Sequence, residues 1–445
     1  MERRGQHIWH STKRNINSHR GEQTVQNDWS RLEEISKKYN TVSGLMSYVN
    51  ADTLMTEFKR QSGKKAKGID GISKTEYEEK LKENLENLVE RLKAFSYHPK
   101  PVRRTYIPKD NGKVRPLGIP SFEDKLVQGA MAKALESVYE HRFLNCSYGF
   151  RKGKNAHQCI GDMNHTLMFR KVNYVLDADI KGFFDNVEHN WLIKFLEHDI
   201  ADKTYIRYIK RLLRAGVMEE GKHYETDKNV PQGGVISPTL ANVYLHYVLD
   251  LWFEKRIKQN LRGEAYLYRY ADDFAIMFQY EDDSKKIYQA LIDRFAKFGL
   301  ELAIDKTRIV PFGRYKGTKE SFDFLGFRFI NGRDREGSYR VHIRTSKKKL
   351  NLKRQIAKEW LTERMHKPIW QTLETLKLKL NGHVNYYGVN GNLRSVQNFF
   401  NYVKYTFYRV LRRRGQKKPI KFKDFIRIWD AAGFKPPKVC VNIWY

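Results

Sequence analysis

Apolar residues at Tyr77, Leu81, Leu85, Leu88, Val89 and Leu92 recur every third or fourth position, so 76–94 is predicted as an amphipathic helix. Trp29 to Phe58 carries broken helical patterning, and the Gly- and Lys-rich run 63–71 reads as a loop. Residues 101–120 predict a strand pair turning at Asp110-Asn111-Gly112, followed by a helix over 122–140. Tyr174-Val175-Leu176 predicts a buried strand that ends in Asp177-Ala178-Asp179. Helices are predicted at about 189–198 and 203–215, and another passes through Leu240, Val243 and Leu245 after a loop at 228–235. Two apolar runs within 265–279 flank Ala271-Asp272-Asp273, the pattern of a hairpin, and a helix at 283–298 and a strand near 308–312 follow.

The pattern changes after about 340. Residues 345–414 are helical and basic, with one cluster at Lys347, Lys348, Lys349, Lys353 and Arg354 and another at Arg412, Arg413, Arg414, Lys417 and Lys418. A strand–helix mixture followed by a basic helical region predicts an α+β catalytic core with an all-α appendage. The expected divisions are 1–59, a basic arm with a helical extension; 60–338, the core; and 339–445, the appendage.

Charge narrows the choice of partner. Against 51 Asp and Glu the chain has 83 Lys and Arg, a net +32, and an excess of that size calls for an anionic partner. Nucleic acid is the first candidate, because phosphate contacts release counterions. A membrane is the second, yet no apolar run approaches the ~18 residues of a spanning helix. Aromatics beside basic residues, as in Tyr402-Val403-Lys404-Tyr405 and Tyr408-Arg409, suit base stacking, although each also suits a core. The odd cysteine count, Cys146, Cys159 and Cys440, predicts a reducing compartment, the cytoplasm.

The acids point to chemistry. Asp272 and Asp273 stand side by side between apolar strands, where mutual repulsion and desolvation are costly unless a cation is near. An Asp-Asp pair alone also fits a solvated turn. Asp179 closes another apolar strand, and if the two strands are neighbours, Asp179 and Asp272 can clamp two metal ions about 3.5–4 Å apart. Oxygen ligands without His or Cys favour Mg²⁺, with Mn²⁺ as the alternative, over Zn²⁺.

The surroundings of these acids resemble reverse transcriptases, and within them the group II intron-encoded maturases. Tyr270-Ala271-Asp272-Asp273 matches the family's active-site tetrapeptide, and Pro231-Gln232-Gly233-Gly234-Val235-Ile236-Ser237-Pro238 the block before it. Asp177-Ala178-Asp179-Ile180-Lys181-Gly182-Phe183-Phe184-Asp185 matches the block with the first metal ligand. Lys109 through Arg115-Pro116-Leu117-Gly118-Ile119-Pro120 resembles the fingers block, and Phe322-Asp323-Phe324-Leu325-Gly326-Phe327 the primer-grip block. Leu380-Asn381-Gly382-His383-Val384-Asn385-Tyr386-Tyr387-Gly388 is similar to the heart of the maturase, or thumb, domain.

The resemblance implies a right-hand polymerase: fingers and palm with an antiparallel sheet, plus an all-α thumb. It implies metal ligation at Asp179, Ile180, Asp272 and Asp273, and substrate contacts at Lys109, Arg115, Phe184, Gln232 and Tyr270. Phe184 falls at the family's steric gate against a 2′-hydroxyl, which implies deoxynucleoside triphosphates as substrates; Lys306 is a further candidate near the primer. Asp177 and Asp185 compete with Asp179, which the following Ile-Lys-Gly-Phe-Phe registers best. The implied partners are a template or intron RNA and a DNA or RNA primer. With no closely spaced His and Cys set for a nuclease, the chain is expected to be of the endonuclease-less type, bacterial and cytoplasmic. Two other readings stand beside an intron maturase: a domesticated relative in DNA repair or phage defence, and a non-catalytic RNA-binding splicing factor.

Overall fold

The computed structural model describes residues 29–444 apart from 109–113, 220–221, 225–227, 229, 231, 318 and 416–417. Residues 1–28 of the expected basic arm, the turn at Asp110-Asn111-Gly112, Lys109, Pro231 and Lys417 lie outside the described residues. The chain divides into two compact units, and it passes between them several times.

The first unit holds the described residues up to Gly153, Ile180–Gln259 and Gln289–Ala303. The helix expected over 76–94 is two helices, Lys74–Glu78 and Leu81–Lys93. Lys80 leaves helical geometry at φ −122° and ψ 37°, so the continuous stripe hides a break. Ser73 and Glu76 cap the first piece reciprocally, and Leu85, Leu88 and Leu92 bury the predicted face of the second. Val102–Pro108 pairs antiparallel with Val114–Ile119, as expected, and parallel with Val217–Glu219, which pairs with Lys222–Tyr224. Helix Phe122–Tyr139, capped by Ser121, is buried on most sides. Helices His189–Asp199, Lys203–Arg214 and Ser237–Leu245 lie close to their predicted bounds, and the last continues through π-type turns to Ile257.

The second unit holds Lys154–Asp179, Asn260–Tyr288 and the described residues from Ile304 onward. Its four-stranded antiparallel sheet runs in the order Ala265–Tyr270, Asp273–Phe278, Tyr174–Asp179, Arg308–Pro311. The central two strands are apolar runs buried on both faces, which is why they lack a clean alternation. A second sheet joins Ser321–Phe324, Phe327–Arg333 and Tyr339–Thr345. The expected division after 338 falls at the turn joining the last two of these strands. Helices Lys347–Glu363, Ile369–Tyr387, Leu393–Arg414 and Phe422–Ala431 share a core that includes Leu380, Phe400, Phe407, Phe425 and Trp429. Helix Ala156–Phe169 has no counterpart among the predicted elements, because its buried positions wrap around the helix instead of forming one stripe.

Candidate active site

Strands Ala265–Tyr270 and Asp273–Phe278 form a hairpin whose two turn residues are Ala271 and Asp272. Such tight hairpins need a residue with positive φ, and Ala271 supplies it at φ 58°, without glycine's freedom. The Arg269 side chain is fully buried, and its Nη1 donates to the Ala271 carbonyl at 3.0 Å, fastening the turn from beneath. Strand Tyr174–Asp179 lies beside the hairpin, and its register sets Asp179 directly opposite Asp273. Directly opposed residues on an antiparallel pair stand about 4.5–5.5 Å apart at Cβ. One rung of the sheet therefore carries an acid at each end, with Asp272 at the adjoining turn and Tyr270 paired to Asp273 from the other side.

Asp177 lies two residues before Asp179, on the same strand face, opposite Ala275 and Arg308. Its carboxylate meets Arg308 at 3.6 Å, whereas that of Asp179 is hydrogen-bonded and ion-paired to Lys306. Asp273 reaches solvent but is crowded by protein. Desolvation first, and then the charges of Asp272, Asp179 and Asp177, push its carboxyl up to about 7, against the pull of Lys349. Like-charge repulsion is the cause the strand register makes plain. Burial likewise pushes Asp177 up to about 6, with Arg308 opposing it.

Among the described residues no three His, Cys, Asp or Glu side chains close into a ready-made metal cage. The donor set fits a hard divalent cation nonetheless: it is all oxygen, and a carboxyl held well above its usual range by neighbouring anions marks a concentration of negative charge without enough counter-charge. No helix among the described residues is long and apolar enough to cross a membrane.

The first unit carries the other expected residues. Gly182 takes φ 54° and starts the short helix Phe183–Asn186. Phe183 turns into the core at 2% exposure while Phe184 stays half-buried, its ring edge-on to Phe183 at 5.2 Å. The Phe184 carbonyl accepts from Val230 N at 2.8 Å, tying this helix to the glycine loop. In that loop the Gln232 carbonyl accepts from Gly118 N at 2.6 Å, and Val235 N donates to the Gln128 side chain at 2.8 Å. Gln232 Oε1 is buried and finds no hydrogen-bond partner among the described residues. Arg115 is exposed on its strand, and Ile180 bridges to Leu302 through the backbone.

Three contacts that support the site have no signal in the sequence. Lys306, a candidate near the primer, is paired with Asp179. Arg269 sits in an apolar run that gives no sign of its role. Tyr386 hydroxyl donates to the Leu325 carbonyl at 2.8 Å, which ties the helix motif at 380–388 to the turn of the 322–327 hairpin. Leu325 and Gly326 both have positive φ there, 49° and 79°, as a type I′ turn requires.

Residues 107–329, about half of the chain, match the family described as "Reverse transcriptase (RNA-dependent DNA polymerase)". Protein YkfC of Escherichia coli (strain K12) is 33% identical over 307 residues, covering 62% of this chain and 78% of that protein. Group II intron-encoded protein LtrA of Lactococcus lactis subsp. cremoris is 41% identical over 199 residues, covering 42% of this chain and 32% of LtrA. The putative COX1/OXI3 intron 1 protein of Saccharomyces cerevisiae is 31% identical over 228 residues, covering 51% of this chain and 27% of its own length. The chain thus spans about a third or less of these two intron proteins.

Proposed function

This chain belongs to the reverse transcriptase (RNA-dependent DNA polymerase) family, and from that premise we propose that it extends a DNA or RNA primer on an RNA template by two-metal-ion nucleotidyl transfer. The observation that carries the reading is the rung that sets Asp179 against Asp273, with Asp272 at the turn beside it.

In this reading Asp179, Asp272 and Asp273, with Ile180, hold Mg²⁺, for which Mn²⁺ can substitute. Bound there, the ions lower the pKa of the primer 3′-hydroxyl and offset charge on the triphosphate and the departing pyrophosphate. Mg²⁺ commonly takes only one or two carboxylates and fills its shell with water and substrate phosphates, so a site without a closed protein cage is consistent with this role. Lys306 serves as the stand-in counter-ion of Asp179. The ring of Phe184 excludes a 2′-hydroxyl, Gln232 and Tyr270 contact the incoming deoxynucleotide, and Lys109 and Arg115 neutralise its triphosphate.

The kinship with intron-encoded proteins supports a second role, binding the intron RNA to assist splicing and mobility. The three free cysteines fit a reducing compartment, and the cytoplasm goes with this reading.

Primer extension with purified protein, an RNA template, deoxynucleotides and Mg²⁺ tests the proposal. Parent protein is expected to extend the primer and Asp272→Ala to leave it unextended; an unimpaired variant would overturn the site. The splicing role is tested with the RNA transcribed from around the gene, whose splicing at low Mg²⁺ should depend on added protein.

A further inference from the structure

A pocket lies in the unit that carries the acids, between the end of helix Ala156–Phe169, strand Tyr339–Thr345 and the tail at Trp444. It is a cavity of about 260 Å³, just below the ~300–1,000 Å³ of drug-sized ligand sites, and so suits one ring system. Its walls are aromatic and cationic. Phe169 is 62% exposed and Trp444 39%, with Tyr339 and His165 also lining the space. The Arg340 guanidinium lies over the Trp444 ring at 4.0 Å. Asn164 also lines the space; it is only 7% exposed, and its buried Oδ1 has no hydrogen-bond partner among the described residues.

Each feature matches an unpaired nucleobase. Exposed aromatic faces and a guanidinium plane are the surfaces on which splayed-out RNA bases stack. A buried acceptor without a partner costs free energy, and a small turn of the Asn164 amide toward the space would let the amino or imino edge of a base supply the N–H. Arg340 and Arg314, the latter 5.7 Å over Tyr339, bring positive charge for the adjoining phosphates. Asp334, also at the wall, is already committed: its Oδ1 accepts from Glu336 N and Ser338 N at 3.0 and 2.9 Å.

The walls are held in place before any ligand arrives. Val341 N points to Met168 Sδ at 3.2 Å, joining helix end to strand. The tail is fixed to the 388–390 turn by Cys440 N to Gly388 O at 2.6 Å and Ile443 N to Asn390 Oδ1 at 3.3 Å. A pre-positioned pocket avoids the entropy of ordering its side chains on binding.

We propose that this pocket binds a single unpaired base of a bound RNA strand, by stacking on Phe169 and Trp444 and a hydrogen bond to Asn164. This contact is separate from the residues that would carry polymerisation, so it stands or falls apart from the polymerase reading.

Two measurements test it on the full chain. First, short single-stranded oligoribonucleotides are titrated against parent protein, Phe169→Ala and Trp444→Ala, beside primer extension on a preformed RNA–DNA duplex. Each variant is expected to bind RNA roughly 5- to 150-fold more weakly, the loss of one stacked base, with extension of the duplex unchanged. RNA affinity equal to the parent's in both variants overturns the proposal, as does a loss in duplex extension as large as the loss in RNA binding. Adenosine monophosphate forms a second arm; competition by it at oligonucleotide-like concentrations would make this a free-nucleotide site and overturn the RNA assignment. Second, parent protein is photocrosslinked to oligonucleotides carrying thiolated bases, a readout that needs no variant to fold. Crosslinks at the peptides around Phe169, Tyr339 or Trp444 are expected, and crosslinks confined to other regions overturn it.

Discussion

Lys306 Nζ is hydrogen-bonded to Asp179 Oδ2, the carboxylate that faces Asp273 across one rung of the sheet. A protein cation thus occupies an acid that a divalent metal would use. The lysine is 60% exposed, and exposed pairs are worth only ~0.2–1 kcal/mol, so an incoming cation displaces it at little cost. Replacing Lys306 by Met should lower the divalent concentration for half-maximal primer extension by about 1.4- to 5-fold, the same energy expressed as a ratio. A metal titration of both proteins decides it; a raised metal requirement would make Lys306 a substrate-facing cation instead.

The crowded acids set a pH dependence. Asp273 is held at about 7 and Asp177 at about 6, so the folded protein keeps protons that the unfolded chain releases near pH 4. From about pH 4 to 7 the unfolded state binds fewer protons, and these groups make stability fall as pH rises. In EDTA, Asp273→Asn should melt above the parent at pH 8, with the gap shrinking steadily toward pH 4. Mg²⁺ should then stabilise the parent more than the variant. Melting curves across that range check both points, and a gap that does not change with pH refutes the repulsion.

Much of this site is legible in the sequence, because it consists of acids punctuating apolar strands, and strand period and turn chemistry act over a few residues. The hairpin around Asp272 and the strand into Asp179 follow from that local grammar. The Lys306–Asp179 pair joins positions 127 residues apart, and no local pattern announces it. Arg269, in an apolar run, gives no hint that it is fully buried beneath its own turn. The break at Lys80 leaves the three- and four-residue spacing intact on both sides, so periodicity alone reads one helix where there are two.

Gly233 supports the loop that carries Gln232. Its φ is +104°, and a Cβ there would stand 2.6 Å from the Gly118 carbonyl oxygen, a backbone atom that cannot swing aside. Backbone strain of this kind costs ~1–3 kcal/mol, and relieving it would pull apart the Gly118–Gln232 hydrogen bond. Gly233→Ala should weaken deoxynucleotide use, seen as a raised KM, while the melting temperature drops by only a few degrees. An unchanged KM would show that the loop is not needed for nucleotide binding.

The basic helical region depends on a packed core. Phe425 is fully buried among Phe407, Tyr408, Phe422 and Trp429. Truncating such a ring to Ala costs ~3–5 kcal/mol. Phe425→Ala should therefore loosen these helices, detected as faster amide exchange across Leu393–Arg414. Exchange equal to that of the parent would show the core to be repacked without loss.

Phe183 and Phe184 are adjacent rings with opposite assignments. Phe183 is 2% exposed and belongs to the core, whereas Phe184 is only half-buried. If the half-buried ring of Phe184 excludes a 2′-hydroxyl, removing it creates room for the extra oxygen without emptying the core. Phe184→Ala should then narrow the preference for deoxynucleotides over ribonucleotides by ~10- to 200-fold, the usual reach of steric discrimination in a pocket. Phe183→Ala should instead destabilise the fold by ~3–5 kcal/mol, with the fraction that remains folded keeping the parent's sugar preference. Competitive incorporation of deoxy- and ribonucleotides by the two variants separates the roles. If Phe183→Ala alone alters sugar selection, the gate belongs to the buried ring and the assignment of Phe184 fails.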